Sequence, residues 1–294
     1  MNQKQADKLA TFMIYLMSGV IVVILAALLI YIFASGLRYV NWHFLTGASE
    51  SFKAGGGIGS QLFNSLYLLL LSMIISIPLA LGVGIYLSEY SGNGRFAKLI
   101  QSAVEVLSSL PSIVVGLFGF LVFVIYCHMS FSILSGALTL MVFNLPLLVR
   151  SIEDALQSVP VSQREGGLAL GLSKWETVVH VIIPECLPSI VTGIILASGR
   201  VFGEAAALIY TAGQSAPPLN FANWNILSMT SPLNPMRPAE TLAVHIWKVN
   251  SEGLIPDANA ISSGASVVLV LVVLLFNVMS RYLGKKLYKH LTGE

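Results

Sequence analysis

The sequence predicts an all-α membrane protein with six transmembrane helices. Of its 294 residues, 55% are hydrophobic and only 10% are charged, and the mean hydropathy is +0.80. Soluble domains carry about 25% charged residues, so a chain with so few could not cover its own surface in water. In lipid only helices or closed barrels satisfy the backbone, and these apolar runs do not alternate as barrel strands would.

Stretches without Asp, Glu, Lys or Arg mark the spans. The first covers 9–37 and is longer than the roughly 7–15 residues of a signal-peptide core, so we interpret it as a retained span. As one helix, 106–149 would be about 66 Å long, twice a hydrocarbon core of about 30 Å, so it must hold two spans that turn near 127–130. The spans predicted after the first are 62–88, 104–126, 131–149, 187–210 and 262–280.

Positive charges place both chain ends inside the cell. With these spans, eleven of the sixteen Lys and Arg lie on the side of the ends, four lie on the opposite side, and Arg200 lies within a span. Cytoplasmic loops carry the excess of Lys and Arg, so the predicted orientation is N-in and C-in. The predicted parts are an N-terminal part at 1–60, a transmembrane domain at 61–285 with a cytoplasmic segment at 151–184 and an outer loop at 212–260, and a cytoplasmic tail at 286–294. In the outer loop, Pro238 fits the start of a short helix that reaches about Asn250.

Several function classes find no support in the sequence. The net charge of +2 is small and no basic stretch is interleaved with aromatic residues, so nucleic acid is not an expected partner. The two cysteines and five histidines have no metal-ligand spacing. The glycine-rich run at 54–59 lacks the Gly-Lys-Ser/Thr of a nucleotide-binding loop. We therefore expect neither catalytic residues nor a bound cofactor or metal in this chain.

One charged segment interrupts the apolar sequence on the cytoplasmic side: SQREGGLALGLSKWETVVHVIIP, residues 162–184. Ser162 with Glu165, and Ser173 with Glu176, each have the spacing of a capping box that starts a helix. Gly171 supplies a left-handed residue that ends the first helix near Leu170. The pattern predicts a short helix, a glycine turn and a second helix that meets Pro184. The alternative is a loop that merely links two spans, but a linker needs neither two caps nor this glycine.

This segment resembles the EAA motif of ABC importer permeases. The order Glu165-Gly166-Gly167, then Gly171, then Val181-Ile182-Ile183-Pro184 follows the motif, with Gly at both Ala positions and apolar exchanges before the proline. In that family the motif forms a coupling helix that sits in a groove on the ATPase subunit. The residues that the resemblance assigns to this contact are Arg164, Glu165, Gly166, Gly167, Gly171 and Lys174.

Further motifs are similar to those of phosphate-specific permeases. They are the run from Leu110-Pro111-Ser112-Ile113 to Gly119, Asn144-Leu145-Pro146 leading to Arg150, Ala169-Leu170-Gly171 with Lys174-Trp175, and Gly199-Arg200 with Gly203-Glu204-Ala205. Together they cover most of 60–215 and resemble the A-type permeases of phosphate ABC importers (the PstA family). The resemblance implies the type I ABC importer permease (MetI-like) architecture. It also implies a heterodimer with a C-type permease, two ATPase subunits that hold ATP and Mg, and an external phosphate-binding protein.

Arg200 and Glu204 are charged residues within the fifth predicted span. A charge at the centre of a span costs roughly 2.5–3.5 kcal/mol on insertion scales, so such residues mark function. Being four apart, the two should share a helix face and pair. Our hypothesis is that Arg200 lines the path and presents its guanidinium fork to phosphate. Glu204 would neutralise Arg200 between turnovers or accept the proton that phosphate carries. The alternative is a pair that only holds two helices in register.

Glu105 and Arg150 are secondary candidates at the cytoplasmic mouths of the third and fourth spans, where interfacial anchors are more common than ligands. Three other functions stay open. A permease for another oxyanion, sulfate or molybdate, would share the cytoplasmic segment. An ion-driven secondary transporter would explain six spans and Arg200, but not a doubly capped cytoplasmic helix, and no internal repeat is visible. A membrane-embedded enzyme lacks candidate catalytic residues.

Overall fold

The computed structural model describes residues 3–50, 54–92, 94–252 and 256–292, and every regular element in these ranges is helical. This confirms the predicted fold class. The α-helices are α1 (Gln3–Gly36), α2 (Trp42–Thr46), α3 (Gly59–Ile85), α4 (Arg95–Ser109), α5 (Ser112–Gly119), α6 (Ile133–Gln157), α7 (Val161–Ala169), α8 (Lys174–Thr177), α9 (Ile183–Phe202), α10 (Ala206–Ile209), α11 (Leu242–Glu252) and α12 (Ala258–Thr292). Wider, π-helical turns extend α3 over Tyr86–Tyr90, extend α5 over Phe120–Tyr126 and join α8 to α9 over Val178–Ile182.

Five of these helical stretches are long and apolar enough to cross a membrane. They are Asp7–Tyr39, Gly59–Tyr90, Ile133–Gln157, Lys174–Phe202 and Ala258–Lys289. A sixth is counted if Arg95–Ser109 and Ser112–Tyr126, bent by 107° at the break between them, form one span. The predicted turn near 127–130 is confirmed, because the chain turns between Tyr126 and Ile133 through His128 and Ser130, both with positive φ.

A break before Ser112 divides the predicted third span, 104–126, between two helices. Pro111 has no backbone N–H and adopts a φ of −60° and a ψ of 142° as the N-cap of α5, so the helix cannot continue through it from α4. Helix α4 carries Arg95, Lys98 and Glu105 together with exposed Phe96 and Leu99, which is the composition of a helix lying at the membrane surface. Glu105 lies on α4, before the break.

Helix α1 packs on one neighbour and is otherwise exposed. Almost all of its apolar side chains are open to the surroundings, and its contacts are with α12. At the crossing, a Cβ on Gly36 would lie 2.1 Å from the backbone oxygen of Ser263, so only glycine fits there. The exposed faces of α1 are those of a lipid-facing helix.

The core of the molecule is built from four long helices. Helix α3 packs along α6, α12 packs along α9, and α6 joins the two pairs through α9. The buried side chains at these contacts include large apolar ones together with Ser, Thr, Asn and Gln, and small residues lie where helices approach closely. For example, a Cβ on Gly193 of α9 would meet the Ser151 hydroxyl of α6 at 1.9 Å. This frame holds the cytoplasmic segment at one end and the outer loop at the other.

The helix of the outer loop begins at Leu242, four residues later than predicted. The preceding backbone is used in tertiary hydrogen bonds instead of a helical turn. The N–H of Ala239 donates to Ala212 O at 3.0 Å, and Asn64 donates from its side chain to Glu240 O at 3.0 Å. Helix α11 then starts where the Leu242 N–H donates to the Ser65 hydroxyl at 2.8 Å.

Candidate functional site

The cytoplasmic segment folds as a short helix, a glycine turn and a second helix. Helix α7 begins at Val161 with Pro160 as its N-cap, and no side chain caps it. The predicted capping box at Ser162 is therefore wrong, because the helix starts one residue before Ser162 and the hydroxyl lies inside the first turn. Pro160 has no N–H, which removes one of the donors that a helix N-terminus leaves without an intrahelical partner.

The turn and the second helix form as predicted. Gly171 has a φ of +86°, the left-handed region that favours glycine, and it ends α7 at Ala169. The second capping box is confirmed: the Glu176 N–H donates to Ser173 Oγ at 3.2 Å, and the Ser173 N–H donates to Glu176 Oε2 at 2.8 Å. Helix α8 then continues into α9 without a break, so the turn is joined directly to the fifth span.

Arg164 is engaged within this chain and does not project from it. Its Nε and Nη2 donate to Glu89 Oε1 at 3.2 and 3.1 Å, and Nη2 also donates to Leu156 O at 2.6 Å. A further bond joins Nη1 to Val159 O. The side chain of Arg164 is 20% exposed and that of Glu89 is 7% exposed. The Lys174 side chain also contacts a residue of this chain, because its Nζ lies over the Tyr90 ring, 4.9 Å from the ring centre.

Of the remaining predicted residues, Glu165, Gly166 and Gly171 are exposed on this segment, whereas Gly167 is buried. Glu165 and Gly166 are exposed, and within the described ranges Glu165 takes part in no hydrogen bond or ion pair. Large apolar side chains surround them, including Leu170, which is 84% exposed, and the exposed Leu168 and Trp175. We call Glu165, Gly166, Leu168, Leu170 and Trp175 the coupling surface. An exposed apolar group around a free charge is typical of a protein interface.

The two adjacent glycines of the motif face opposite environments, which permits a matched test. A Cβ on Gly167 would lie 2.8 Å from Thr177 Cγ2, whereas a Cβ on Gly166 would meet nothing within 4 Å. Both Gly→Leu exchanges gain helix propensity of about 0.8 kcal/mol, so the difference between them reports packing. We expect Gly167→Leu to lower the unfolding free energy by roughly 2 kcal/mol, seen as a lower Tm in detergent.

We expect Gly166→Leu not to lower Tm, but to reduce copurification of the partner ATPase at least tenfold, because the added side chain stands on the coupling surface. Equal Tm values for the two variants would contradict the packing difference. Full ATPase copurification with Gly166→Leu would contradict the assignment of the surface.

Arg200 lies on the last turn of α9 and is exposed. Its guanidinium carbon is 4.3 Å from the centre of the Phe143 ring on α6. Among the described residues no carboxylate lies within 4.0 Å of it. Beside it, the buried Gly199 allows α12 to approach, since a Cβ there would be 3.5 Å from Phe276 Cβ. The aromatic face stabilises the cation without neutralising it, and leaves the guanidinium N–H groups free to bind an anion.

The predicted pairing of Arg200 with Glu204 is wrong. Helix α9 ends at Phe202, and Gly203 turns the chain, so the two residues do not share a helix face. Glu204 instead accepts a hydrogen bond at 3.2 Å from the Ala207 N–H through Oε1, which caps the short helix α10. Helix α10 in turn packs on α5, where a Cβ on Gly116 would be 2.7 Å from Ala207 Cα.

Two cavities surround Arg150. One of about 930 Å³ lies between α6, α9 and α12 and is lined by Arg150, Leu196, Lys285 and Lys289 among others. Leu196 is one turn before Arg200 on the same helix, so this groove ends one turn short of Arg200, which does not line it. The other cavity, of about 370 Å³, brings Arg150 together with Glu105.

A buried polar cluster on the outer side was missed from the sequence. Glu240 is 4% exposed; it accepts from Gln61 Nε2 at 3.0 Å, and its other oxygen lies 3.1 Å from His245 Nδ1 and 3.7 Å from Lys248 Nζ. Burial acts to raise the pKa of Glu240, but the His245 and Gln61 hydrogen bonds and the nearby positive charges outweigh it, so the pKa lies below the usual 4.5.

Arg237 lies beside this cluster, completely buried, and donates to Asn64 Oδ1 at 2.7 Å. Burial lowers the pKa of Arg237 to about 10. The outer loop is polar with scattered charges, and its sequence did not predict that Glu240 and Arg237 are buried. Their respective partners, Gln61 and Asn64, belong to the second span.

Comparison with known proteins identifies the family. The family model described as "Binding-protein-dependent transport system inner membrane component" matches residues 77–291. The probable ABC transporter permease protein YqgI of Bacillus subtilis (strain 168) is 54% identical over 294 residues, with both chains covered completely. The phosphate transport system permease protein PstA of Xylella fastidiosa (strain 9a5c) is 34% identical over 179 residues, which is 61% of this chain and 62% of that protein.

Solved structures share the fold. The inward-facing MetNI methionine ABC transporter matches 76% of this chain and 93% of its own, at a TM-score of 0.60 and 18% identity. A bacterial alginate ABC transporter, solved with its pentasaccharide-bound periplasmic protein, matches 97% of this chain and 96% of its own, at a TM-score of 0.65 and 16% identity. The helices are thus arranged as in type I ABC importer permeases, which act with a partner permease, separate ATPase subunits and a binding protein. The chain belongs to the binding-protein-dependent transport system inner membrane components, and is a multi-pass permease subunit of an ABC importer in the cell membrane.

Proposed function

We propose that this permease carries inorganic phosphate. The observation that carries the proposal is Arg200, an exposed guanidinium in the last turn of α9 with no carboxylate partner among the described residues. The 34% identity to PstA of Xylella fastidiosa over 179 residues supports the same substrate. A guanidinium fork matches the geometry of phosphate oxygens and binds them through two parallel hydrogen bonds.

Arg200 binds phosphate during its passage, and the groove below it provides the way out. Arg150, Lys285 and Lys289 line this groove and give it positive charge at its cytoplasmic end. Glu204 sits one turn beyond Arg200, where its carboxylate opposes tight anion binding at close range and can receive a proton from phosphate. Glu105, across the smaller cavity from Arg150, has the weaker claim of the two secondary candidates.

Coupling to ATP runs through the cytoplasmic segment. The coupling surface docks on an ATPase subunit, which holds ATP and Mg, while this chain binds no cofactor. The complete importer contains a C-type permease as the second half of the path, two ATPase subunits and an external phosphate-binding protein. The exposed apolar residues around Glu165 support this docking, because they remain uncovered within the described chain.

Labelled-phosphate uptake tests the proposal. Cells that lack this gene are compared with cells to which it has been returned, under a large excess of unlabelled sulfate. We expect restored uptake that ignores sulfate, stops when ATP is depleted and survives a proton uncoupler. Uptake that sulfate or molybdate abolishes would assign the chain to another oxyanion, and uptake that follows the proton gradient would indicate a secondary transporter.

A further inference from the structure

Both helices of the cytoplasmic segment are attached to the end of the second span. Arg164 of α7 binds Glu89, and Lys174 of α8 lies over the ring of Tyr90. Glu89 and Tyr90 are consecutive residues in the π-helical turn that ends this span. The segment is joined through the chain only to the fourth and fifth spans, α6 and α9. The second span is therefore connected to it by side chains alone.

The placement of Glu89 requires a cation. Its side chain is 7% exposed and stands at the C-terminal end of a helical span, where the helix dipole already concentrates negative charge. A buried carboxylate in such a position is costly unless it is paired and hydrogen-bonded. Within the described ranges Arg164 is its one ion-pair partner. Loss of Arg164 leaves Glu89 unpaired.

The same guanidinium closes a second helix end. Arg164 donates to the carbonyl oxygens of Leu156 and Val159, which belong to the last turn of α6 and the residues after it. The Leu156 carbonyl also accepts from the backbone N–H of Val159 at 3.3 Å, and a cation bound at this helix end offsets the helix dipole. One side chain thus joins α7 to the cytoplasmic ends of two spans. In one of these contacts the partners, Arg164 and Glu89, are 75 residues apart in sequence.

We propose that the Arg164–Glu89 pair is a clasp that transmits movement of the coupling segment to the second span. Arg164 is a positioning residue and does not touch the ATPase. The inference rests on the proposed docking of the coupling surface, but it does not depend on which ion is carried. When the ATPase moves α7, the clasp makes the end of α3 move with it; Lys174 on Tyr90 adds a weaker second attachment.

The test uses the complete importer in proteoliposomes, with Arg164→Gln and Glu89→Gln in this chain. We expect both variants to retain copurified ATPase and basal ATP hydrolysis within about twofold. Stimulation of hydrolysis by the loaded binding protein should fall at least tenfold. The binding protein is loaded in turn with phosphate, sulfate and molybdate. A wild-type complex that is stimulated only with sulfate or molybdate would contradict the proposed substrate and still test the clasp.

Three controls make the result specific. Arg95→Gln removes an exposed arginine on the same membrane side and should leave stimulation unchanged. The double variant should be no worse than Arg164→Gln alone, because Glu89→Gln removes an interaction that Arg164→Gln has already removed. Arg164→Lys keeps the charge without the fork and should give an intermediate value. If Arg164→Gln does not accumulate, Glu89→Gln carries the test, since it leaves the bonds to α6 in place.

Two results would overturn the proposal. Normal stimulation in Glu89→Gln would mean that the pair transmits nothing. Loss of ATPase copurification in Arg164→Gln, in proportion to lost stimulation, would assign Arg164 to the docking surface.

Discussion

We expect Arg200→Ala to lower phosphate uptake by roughly 100-fold while the amount of this chain in the membrane stays the same. Two charge-assisted hydrogen bonds to the ion, each about 1.5–3 kcal/mol, correspond to at least that factor. The fold should tolerate the change, because Arg200 is exposed and its packing contact is the Phe143 ring. The measurement is initial-rate uptake of labelled phosphate, normalised to the level of the protein in the membrane.

A matched control is Arg38→Ala. Arg38 also lies over an aromatic ring, 4.6 Å from the centre of the Tyr39 ring, but at the opposite face of the protein from the proposed exit. The Arg38→Ala variant should keep phosphate uptake within about twofold of the wild-type rate. Arg200→Lys retains charge without the fork and should fall between the two. Uptake near the wild-type rate in Arg200→Ala would remove Arg200 from the path.

Glu204→Gln separates the roles proposed for that residue. The amide oxygen of Gln can still accept from the Ala207 N–H, so the cap of α10 survives. If charge or proton transfer at Glu204 matters, phosphate uptake falls although the protein remains stable. An unchanged uptake rate leaves Glu204 with the cap alone.

The second large effect is on stability at the outer face. We expect Glu240→Gln to lower the free energy of unfolding by roughly 3 kcal/mol, because it removes one partner of a buried charged cluster and places an amide donor among donors. Lys248→Gln is the control. Its ammonium contacts Glu240 at 3.7 Å and is partly exposed, so its loss should cost less than about 1 kcal/mol. Thermal unfolding in detergent measures both, and equal changes would contradict the cluster as the source of stability.

The Glu240 carboxylate also makes the stability of the protein depend on pH under acidic conditions. Its pKa in the folded protein lies below 4.5, so under acidic conditions the unfolded chain binds a proton more readily than the folded one. The stabilisation is complete above about pH 4.5 and is lost as the pH falls through the lower folded-state pKa. Tm measured from pH 6 to pH 3.5 should therefore fall more steeply for the wild-type chain than for Glu240→Gln.

Local features were accessible from the sequence because they depend on neighbours within one helical turn. The capping box of Ser173 and the left-handed Gly171 both formed as predicted. The local predictions that failed were those in which a proline or glycine interrupts the helix within the predicted pattern. Pro160 starts α7 one residue before Ser162, Pro111 divides the predicted third span between two helices, and Gly203 ends the helix that would have paired Arg200 with Glu204.

The contacts of the charged side chains were not accessible in this way. Glu89 is the one acidic residue between Glu50 and Glu105, which marks it as unusual, but nothing in its surroundings identifies Arg164 as its partner. Glu240 is likewise joined to Gln61, 179 residues away. Both pairs depend on which face of one span packs against another, and composition alone leaves that open.

The sequence by itself determined the membrane class, the all-helical fold and the two-helix cytoplasmic segment, and it predicts the N-in, C-in orientation. Hydropathy, charge and capping act over a few residues, and lipid imposes helices on long apolar runs. Only the tertiary structure decided that Arg164 and Lys174 hold the second span while Glu165 stays free, and that Arg200 lies unpaired over Phe143. Those outcomes follow from the packing of helices remote in sequence, where a charged side chain takes the partner that the neighbouring helix presents.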